Sequence, residues 1–266
     1  MNERARMKRN VIFCFSGTGN CLDMAKNIAK GLGNTDIIMM RREPVITDVR
    51  EAERVGFVFP CYGGGAPEDV LNYAKSIRVS PEAYTFAVSS SASYAGTGLY
   101  ELDKIIPLHY WRAVTHHCSC IWLFPHNMMV PPLSTEKAQK RSEKLAQEIA
   151  YDVTTGKCSD KRPPHNLLNA GENKAWGLIA AKKAAAFQVS DDCNGCGQCA
   201  RLCPRGNIRI QDGRAVIGTN CVQCLGCLQF CPTEAISLGK ITMKREHYHN
   251  PNVKPADLMQ TVIEVK

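Results

Sequence analysis

Two stretches of the chain repeat one cysteine spacing, and they constrain the fold more than any other feature. Both follow the pattern C-x2-C-x2-C-x3-C and are closed by a proline. The first copy consists of Cys193, Cys196, Cys199, Cys203 and Pro204, and the second consists of Cys221, Cys224, Cys227, Cys231 and Pro232. Three cysteines at this spacing wrap a tight loop around one group, whereas the fourth leaves on a short helix and points elsewhere.

This spacing is typical of 4Fe-4S clusters, each of which takes four cysteine thiolates. Structural zinc is the alternative, but its ligands normally stand as two C-x2-C pairs separated by a long gap. The module at about residues 187–240 resembles a bacterial-type ferredoxin with two 4Fe-4S clusters, in which the fourth cysteine of each copy binds the other cluster. The resemblance implies that cluster I is bound by Cys193, Cys196, Cys199 and Cys231, and cluster II by Cys203, Cys221, Cys224 and Cys227.

The composition agrees with a two-domain protein that binds redox groups. The chain has 266 residues, of which 44% are apolar and 22% charged, and this length suits one medium domain and one small domain. The apolar run 11–15 is far too short for a signal peptide or a membrane span. Together with 14 cysteines, this predicts metal or redox chemistry in a reducing compartment. We therefore expect a cytoplasmic protein with no membrane span.

The formal net charge of +8 suggests nucleic-acid binding, but this count treats every cysteine as neutral. Two oxidised clusters with four thiolates each contribute about −2 apiece, and a flavin phosphate up to about −2, which leaves roughly +2. The sequence also contains no aromatic-rich single-strand platform and no zinc-finger spacing. We therefore expect no nucleic-acid partner.

The N-terminal half begins with an apolar strand, 11–15, that runs into "SGTGN" and then into a helix with apolar residues on one face. A glycine turn before a helix N-terminus makes an anion site. The turn departs from the dinucleotide fingerprint, because Leu22 stands where that fingerprint requires a small residue. Two more predicted strands, 55–60 and 86–89, end in small-residue loops at the edge where open α/β sheets bind ligands. One loop could hold a phosphate, and two could hold a flat ring.

These features resemble flavodoxin, and more closely the flavodoxin-ferredoxin fusion proteins of anaerobic bacteria. The flavodoxin phosphate-loop pattern S/T-x-T-G-x-S/T is matched by Ser16, Gly17, Thr18, Gly19 and Asn20, with Cys21 in place of the last hydroxyl. A thiol is a weak donor, so one phosphate hydrogen bond is in question. The resemblance implies an FMN whose ring is bound by residues of the two later loops, namely Pro60, Cys61, Tyr62, Gly63, Gly64, Ser90, Ser91, Ala92, Ser93, Tyr94 and Gly96.

The resemblance implies an α/β fold, with a flavodoxin-like doubly wound parallel sheet of order 2-1-3-4-5 and a small α+β ferredoxin domain carrying two 4Fe-4S clusters. We expect the flavodoxin-like domain over 1–153, a linker with a helix over 154–186, the ferredoxin domain over 187–240 and a C-terminal tail over 241–266. Two further segments resemble parts of the family. "FPHNMMVPP", which begins at Phe124, resembles the family segment M-P-x-N-Y, with Phe124 and Met128 at the outer positions, and "REHYHNP" near the C-terminus resembles a family tail.

Several other side chains and two helices are expected to have structural roles. Cys118 and Cys120 alternate along a predicted strand and are expected in the core, while His116 and His117 are expected to be surface or capping residues. An amphipathic helix is expected from Ser134 to about Asp152. A second helix, from Asn173 to Phe187, is expected to dock through Trp176, Leu178, Ile179 and Phe187.

The function expected from the sequence is electron transfer between an FMN and two 4Fe-4S clusters, with redox proteins as partners and no catalytic acid, base or nucleophile. One alternative is a flavin-dependent or NADP-using reductase of a small molecule, in which Arg41 and Arg42 could bind a 2′-phosphate. The other is a ferredoxin module on a flavin-free docking domain. The electron donor and acceptor, the direction of flow and the oligomeric state do not follow from the sequence.

Overall fold

The computed structural model describes residues 10–41, 44, 46–94, 96–123, 128–243 and 245–266. The N-terminal half contains β1 (Asn10–Cys14), α1 (Asn20–Leu32), β2 (Thr35–Met39), β3 (Arg54–Pro60), α2 (Glu68–Ser76), β4 (Tyr84–Ser91), α3 (Gly98–Asp103), β5 (Tyr110–Thr115) and α4 (Thr135–Thr154). The C-terminal half contains α5 (Leu167–Ala184), β6 (Phe187–Val189), α6 (Gln198–Leu202), β7 (Ile208–Gln211), β8 (Arg214–Ile217), α7 (Gly226–Gln229), β9 (Ile236–Leu238), α8 (Gly239–Thr242), α9 (Pro255–Met259) and β10 (Val262–Val265).

The central sheet has the strand order β10-β2-β1-β3-β4-β5. Strands β1 to β5 run parallel to one another, and β10 pairs with β2 in the antiparallel direction. The predicted order 2-1-3-4-5 is therefore confirmed, and it is the order of flavodoxin-like doubly wound sheets. The unpredicted feature is β10, by which the end of the chain returns from the ferredoxin region to cover the edge of β2.

Helices cover both faces of this sheet, as a parallel sheet requires. Every residue of β1 is buried, and its side chains alternate between the two faces. Ile12 points to the face where Leu22 of α1 and Ile149 of α4 pack. Phe13 points to the opposite face, where Leu99 of α3 packs.

The ferredoxin region consists of two small antiparallel pairs, β6 with β9 and β7 with β8. Between the two cysteine motifs, the segment "NIRIQDGRAVI" forms a hairpin from β7 and β8. Its two turn residues both have positive φ, 49° at Asp212 and 73° at Gly213, which is the backbone conformation of the tight turn that suits the twist of a hairpin.

The two regions share their hydrophobic cores. Ile121, from the segment after β5, packs with Leu228 of α7 in the core of the ferredoxin region. In return, Leu202 of α6 and Phe230 join the core on one face of the central sheet, and Val222 joins the core on the other. The regions are therefore interlocked, because each one buries apolar side chains supplied by the other.

The two predicted helices before the ferredoxin region are both present. The helix expected from Ser134 is confirmed as α4, and the Ser134 hydroxyl caps it by accepting from the Lys137 N–H at 3.4 Å. Helix α5 begins at Leu167 rather than at Asn173. The prediction that Leu178 and Ile179 dock α5 onto the rest of the protein is wrong, since these side chains are 74% and 43% exposed. The helix packs instead through the side that carries Trp176, whose ring stacks on Trp122.

One ion pair joins the two regions directly. The Arg205 guanidinium, which follows the first cysteine motif, donates from Nε to Asp69 Oδ1 at 2.8 Å and from Nη2 to Asp69 Oδ2 at 2.7 Å. The two side chains are only 15% and 11% exposed. A two-point, charge-assisted contact of this kind is strong and directional, and it fixes the start of α2 against the loop that follows Cys203.

Replacing Arg205 by alanine leaves the Asp69 carboxylate buried without its partner, so we expect the free energy of unfolding to fall by about 3 kcal/mol. Urea denaturation of the holoprotein, followed by circular dichroism, measures this change. Arg209→Ala is the matched control, because the Arg209 side chain is exposed and donates only to Gln211; it should change stability by less than about 0.5 kcal/mol. Equal effects of the two substitutions would refute a structural role for the ion pair.

Candidate functional site

The turn between β1 and α1 has the geometry of an anion site. Gly19 adopts a φ of 98° and precedes α1 without any side-chain capping bond, which leaves N–H groups of the first helical turn available to a ligand. The Ser16 hydroxyl accepts from the Gly19 N–H at 3.1 Å and holds the turn closed. Cys21 is buried, and this burial raises the pKa of its thiol well above the usual value. The Cys21 side chain is therefore a neutral thiol, not an anion, beside this turn.

The carboxyl ends of β1, β3 and β4 bring the three predicted loops around one cavity. All the predicted flavin residues line this cavity except Gly19 and Gly96. The residues that line it are Ser16, Gly17, Thr18, Asn20, Cys21, Pro60, Cys61, Tyr62, Gly63, Gly64, Ser90, Ser91, Ala92, Ser93 and Tyr94. Gly96 lies just behind, with a φ of 63° and its Cα packed on the backbone of Gly64.

The structure adds a fourth loop, after β5, that the sequence analysis did not assign to the site. His117, Cys118, Ser119, Cys120, Leu123 and Met128 also line the cavity. The strand predicted through Cys118 and Cys120 is wrong, because β5 ends at Thr115 and both cysteines lie on the loop. The position of β5 beside β4 is the signal that could have indicated this loop, since parallel strands end at the same edge. Phe124 lies outside the described residues.

Helix α5 closes the cavity from the side of the ferredoxin region. Trp176 lines the cavity and stacks on Trp122, with ring centroids 5.5 Å apart at an angle of 25°. It also lies against Gly63, whose φ is 51° and where any side chain would clash with the Trp176 ring. At the cavity mouth, the Tyr94 hydroxyl donates to the Glu172 carboxylate at 2.7 Å.

The C-terminal tail braces the phosphate loop from behind. The Asn250 N–H donates to the Thr18 carbonyl at 2.8 Å, and its side-chain amide donates to Asn20 Oδ1 at 3.2 Å. The Tyr248 hydroxyl donates to the same oxygen at 2.9 Å, and Asn20 Nδ2 donates to the His117 carbonyl at 3.0 Å. Asn20 therefore acts as the link between the phosphate loop, the tail and the loop after β5.

Among the described residues, three that line the cavity have buried polar atoms with no hydrogen-bond partner in that part of the chain. They are His117 Nδ1, Trp176 Nε1 and Gln223 Oε1. Buried polar groups are nearly always satisfied, so these atoms favour a polar ligand in the cavity. Together with the glycine turn at a helix N-terminus, they fit a molecule that carries both a phosphate and a hydrogen-bonding ring.

The eight motif cysteines form two sets around two further cavities. Cys193, Cys196, Cys199 and Cys231 line one, and Cys203, Cys221, Cys224 and Cys227 line the other. Each set takes three cysteines from one motif and the last cysteine from the other. Within the described residues, no three or more His, Cys, Asp or Glu side chains converge where a single metal ion could bind. The thiol sets instead surround cavities, and four thiols around each one fit the ligand requirement of a 4Fe-4S cluster.

Arg41 lies away from the cavity, although one alternative placed it at a phosphate. Its guanidinium donates to the Leu258 carbonyl at 2.6 Å and to the Arg201 carbonyl at 3.2 Å. It thereby joins α9 to α6, and this use does not favour binding of a nucleotide 2′-phosphate. Arg42 is not among the described residues.

A comparison with known protein families agrees with iron-sulfur binding by the first cysteine motif. Residues 188–209 match the family of 4Fe-4S binding domains. The search of curated proteins finds no match to the chain. No helix in the described part of the chain is both long enough and apolar enough to cross a membrane.

Several solved flavoprotein structures are similar to the chain. Flavodoxin 1 from Bacillus cereus is 13% identical, with a TM-score of 0.38, over 53% of this chain and 97% of its own. The Flv1 flavodiiron core from Synechocystis sp. PCC6803 is 14% identical, with a TM-score of 0.37, over 58% of this chain and 38% of its own. Rubredoxin oxygen:oxidoreductase from Desulfovibrio gigas is 15% identical, with a TM-score of 0.36, over 55% of this chain and 36% of its own. The chain spans well under half the length of the last two proteins. Because all three TM-scores are low, the fold is assigned from the strand order of the central sheet and not from these similarities.

His116 and His117 were expected to be surface or capping residues, and the surface alternative is wrong. They are 3% and 6% exposed, because the loop after β5 is covered by the tail and by α7. The ring nitrogen Nδ1 of His116 accepts from the His117 N–H at 2.8 Å, which requires that nitrogen to be unprotonated. Burial, and then the neighbouring His117 side chain, lower the pKa of His116 to about 4.

The lowered pKa of His116 predicts a pH dependence of stability. The unfolded histidine takes up a proton below about pH 6.5, whereas the folded one stays neutral down to about pH 4. Stability is therefore complete above pH 6.5 and falls as the pH decreases toward 4, by up to about 1.4 kcal/mol per pH unit.

Thermal or urea denaturation between pH 7 and 5 measures this slope. We expect His116→Gln to flatten it, because a glutamine takes up no proton. The control His165→Gln replaces an exposed histidine and should retain the slope of the unmodified protein. An unchanged slope in His116→Gln would show that the buried imidazole is not its source.

Proposed function

We propose that this chain is an electron-transfer protein of the flavodoxin-ferredoxin fusion type, which binds one FMN and two 4Fe-4S clusters and exchanges electrons with redox partner proteins in the cytoplasm. The observation that carries the proposal is the direct contact between the two kinds of site. The backbone of Gly17 in the phosphate loop packs against the backbone of Cys224, one of the cysteines of cluster II. Electron tunnelling weakens steeply with distance, so contact of the two binding loops favours exchange within one chain.

The residues of the cavity have distinct roles in this proposal. The free N–H groups at the start of α1, with Ser16 and Thr18, would bind the FMN phosphate, since a helix N-terminus favours an anion. Tyr62 and Trp176 supply aromatic surface for the ring, and Ser90 and Ser91 supply hydroxyls. The tail residues Tyr248 and Asn250 position the phosphate loop through Asn20.

The cysteines would hold the clusters crosswise. Cys193, Cys196, Cys199 and Cys231 would bind cluster I, while Cys203, Cys221, Cys224 and Cys227 would bind cluster II.

Bound FMN can exchange one or two electrons and each 4Fe-4S cluster exchanges one, so together they can join partners of different electron stoichiometry. The two cysteine sites differ in solvent exposure, because Cys196 of cluster I is exposed whereas none of the four cluster II cysteines is. Cluster I is therefore the side at which a partner protein would approach.

Composition tests the proposal directly. Anaerobic purification followed by iron, sulfide and flavin analysis should give about eight irons and one FMN per chain. A content of about four irons, or no FMN after reconstitution, would contradict it and favour a single cluster or a flavin-free docking domain. Rapid mixing of the FMN-loaded protein with a flavin reductant should then show cluster reduction at a rate independent of protein concentration, as expected within one chain.

The crosswise assignment makes a separate prediction for single cysteine variants. Cys203→Ala should remove the same cluster as Cys221→Ala, although Cys203 belongs to the other motif, because both line one cavity. Cys231→Ala should instead remove the cluster that Cys196→Ala removes. Iron content and electron paramagnetic resonance of each variant identify the cluster lost. Grouping by motif, with Cys203 behaving like Cys196, would refute the assignment.

A further inference from the structure

The loop that carries Cys224 forms part of the flavin cavity. A side chain on Gly17 would clash with the carbonyl and Cβ of Cys224, and one on Gly226 would lie 2.8 Å from the Gly17 carbonyl oxygen. Glycine at both positions is what allows the phosphate loop and the cysteine loop to meet backbone to backbone. No other residue type leaves enough space for this contact.

The residues on either side of Cys224 reach the cavity itself. Gln223 and Leu225 both line it, and both adopt positive φ, 61° and 59°. Residues other than glycine occupy that region at a cost and stay there only where the surrounding structure holds them. The same loop carries Cys221, Cys224 and Cys227, which line the cluster II cavity, so a bound cluster would hold the loop in this conformation.

Gln223 has an unused hydrogen-bonding atom in this position. The side chain is 3% exposed. Its Nε2 donates to the Ala180 carbonyl at 3.4 Å and to Cys221 Sγ at 3.8 Å, and its Oε1 has no partner among the residues that the structure describes. A buried amide oxygen without a partner is costly, so its position on the cavity wall points to a ligand that donates a hydrogen bond there.

A second connection runs through α7, which follows the same cysteine loop. Gln229 Nε2 donates to the Ser119 carbonyl at 2.7 Å, and its Oε1 accepts from the Tyr248 N–H at 2.8 Å. Ser119 lines the cavity, and Tyr248 holds Asn20 of the phosphate loop. The position of α7 therefore determines two more parts of the flavin site.

We propose that the flavin site is completed by the cluster II loop, with Gln223 as a direct hydrogen-bond partner of FMN, so that FMN affinity depends on the presence of cluster II. This inference rests on the function proposed above. It goes beyond that function, because two adjacent and independent sites would transfer electrons equally well without any such dependence. Linkage requires that bound FMN strengthens the retention of cluster II by the same factor.

The test compares FMN binding to two variants that each lose one cluster. Cys221→Ala removes a cluster II ligand that does not line the flavin cavity, and Cys196→Ala removes a cluster I ligand that does not line it either. Equilibrium ultrafiltration under argon gives the dissociation constant for FMN. We expect it to rise at least tenfold in Cys221→Ala and less than threefold in Cys196→Ala. Similar constants for both variants and the unmodified protein would overturn the inference.

A second pair of variants keeps both clusters and separates the coupling from misfolding. Gln223→Ala should weaken FMN binding at least fivefold with an unchanged iron content. Gln211→Ala removes an exposed amide of β7 outside the cavity and should have no effect. If the cysteine variants lose all their iron, the Gln223→Ala and Gln211→Ala variants decide the question. Equal FMN affinities of these two variants would then reject the inference. If the unmodified protein binds no FMN at all, the proposed function fails instead.

The reciprocal measurement uses the unmodified protein alone. Iron release to a chelator should slow in the presence of saturating FMN for about half of the iron, the half that cluster II holds. Release at one rate, with or without FMN, would contradict the coupling.

Discussion

The contact between Gly17 and Cys224 is the interaction on which the rest of the structure depends. The Gly17 backbone packs against the carbonyl and Cβ of Cys224, and Gly226 lies beside the Gly17 carbonyl. This close approach brings the turn between β1 and α1 next to the loop that carries the second cysteine motif. The contact is possible because both loops use glycine. It is maintained by apolar side chains on either side of it, since Leu202 and Phe230 are buried on one face of the sheet and Val222 on the other.

This arrangement differs from two domains joined by a flexible connection. The ion pair between Arg205 and Asp69, the docking of Trp176 and the return of β10 to the sheet all tie the ferredoxin region to the flavodoxin-like sheet. Interfaces between domains in one chain are often small and polar, and they allow relative motion. Here each region buries side chains of the other, which keeps the separation of the binding sites constant. A constant separation suits electron transfer, because its rate depends so strongly on distance.

Much of the candidate site was predictable from local sequence. Parallel strands that end in small-residue loops must place those loops at one edge, and so most of the predicted flavin residues line one cavity. Prediction failed where a residue's environment comes from distant parts of the chain. His116 and His117 read as surface residues, but Tyr248 and α7 cover them. Cys118 and Cys120 read as a strand, but β5 ends before them and their loop turns into the cavity.

The sequence alone determined the spacing of the cysteines, the buried parallel strands and the position of the glycine turn, because continuous apolar runs form such strands and glycine turns precede helices. The order of the sheet came from the resemblance to flavodoxin that these motifs carry. Only the tertiary structure decided that Gln223, Trp176 and Asn250 surround or brace the same cavity. Their neighbours in space are far away along the chain, and long-range packing leaves no periodic pattern in the sequence from which such contacts could be read.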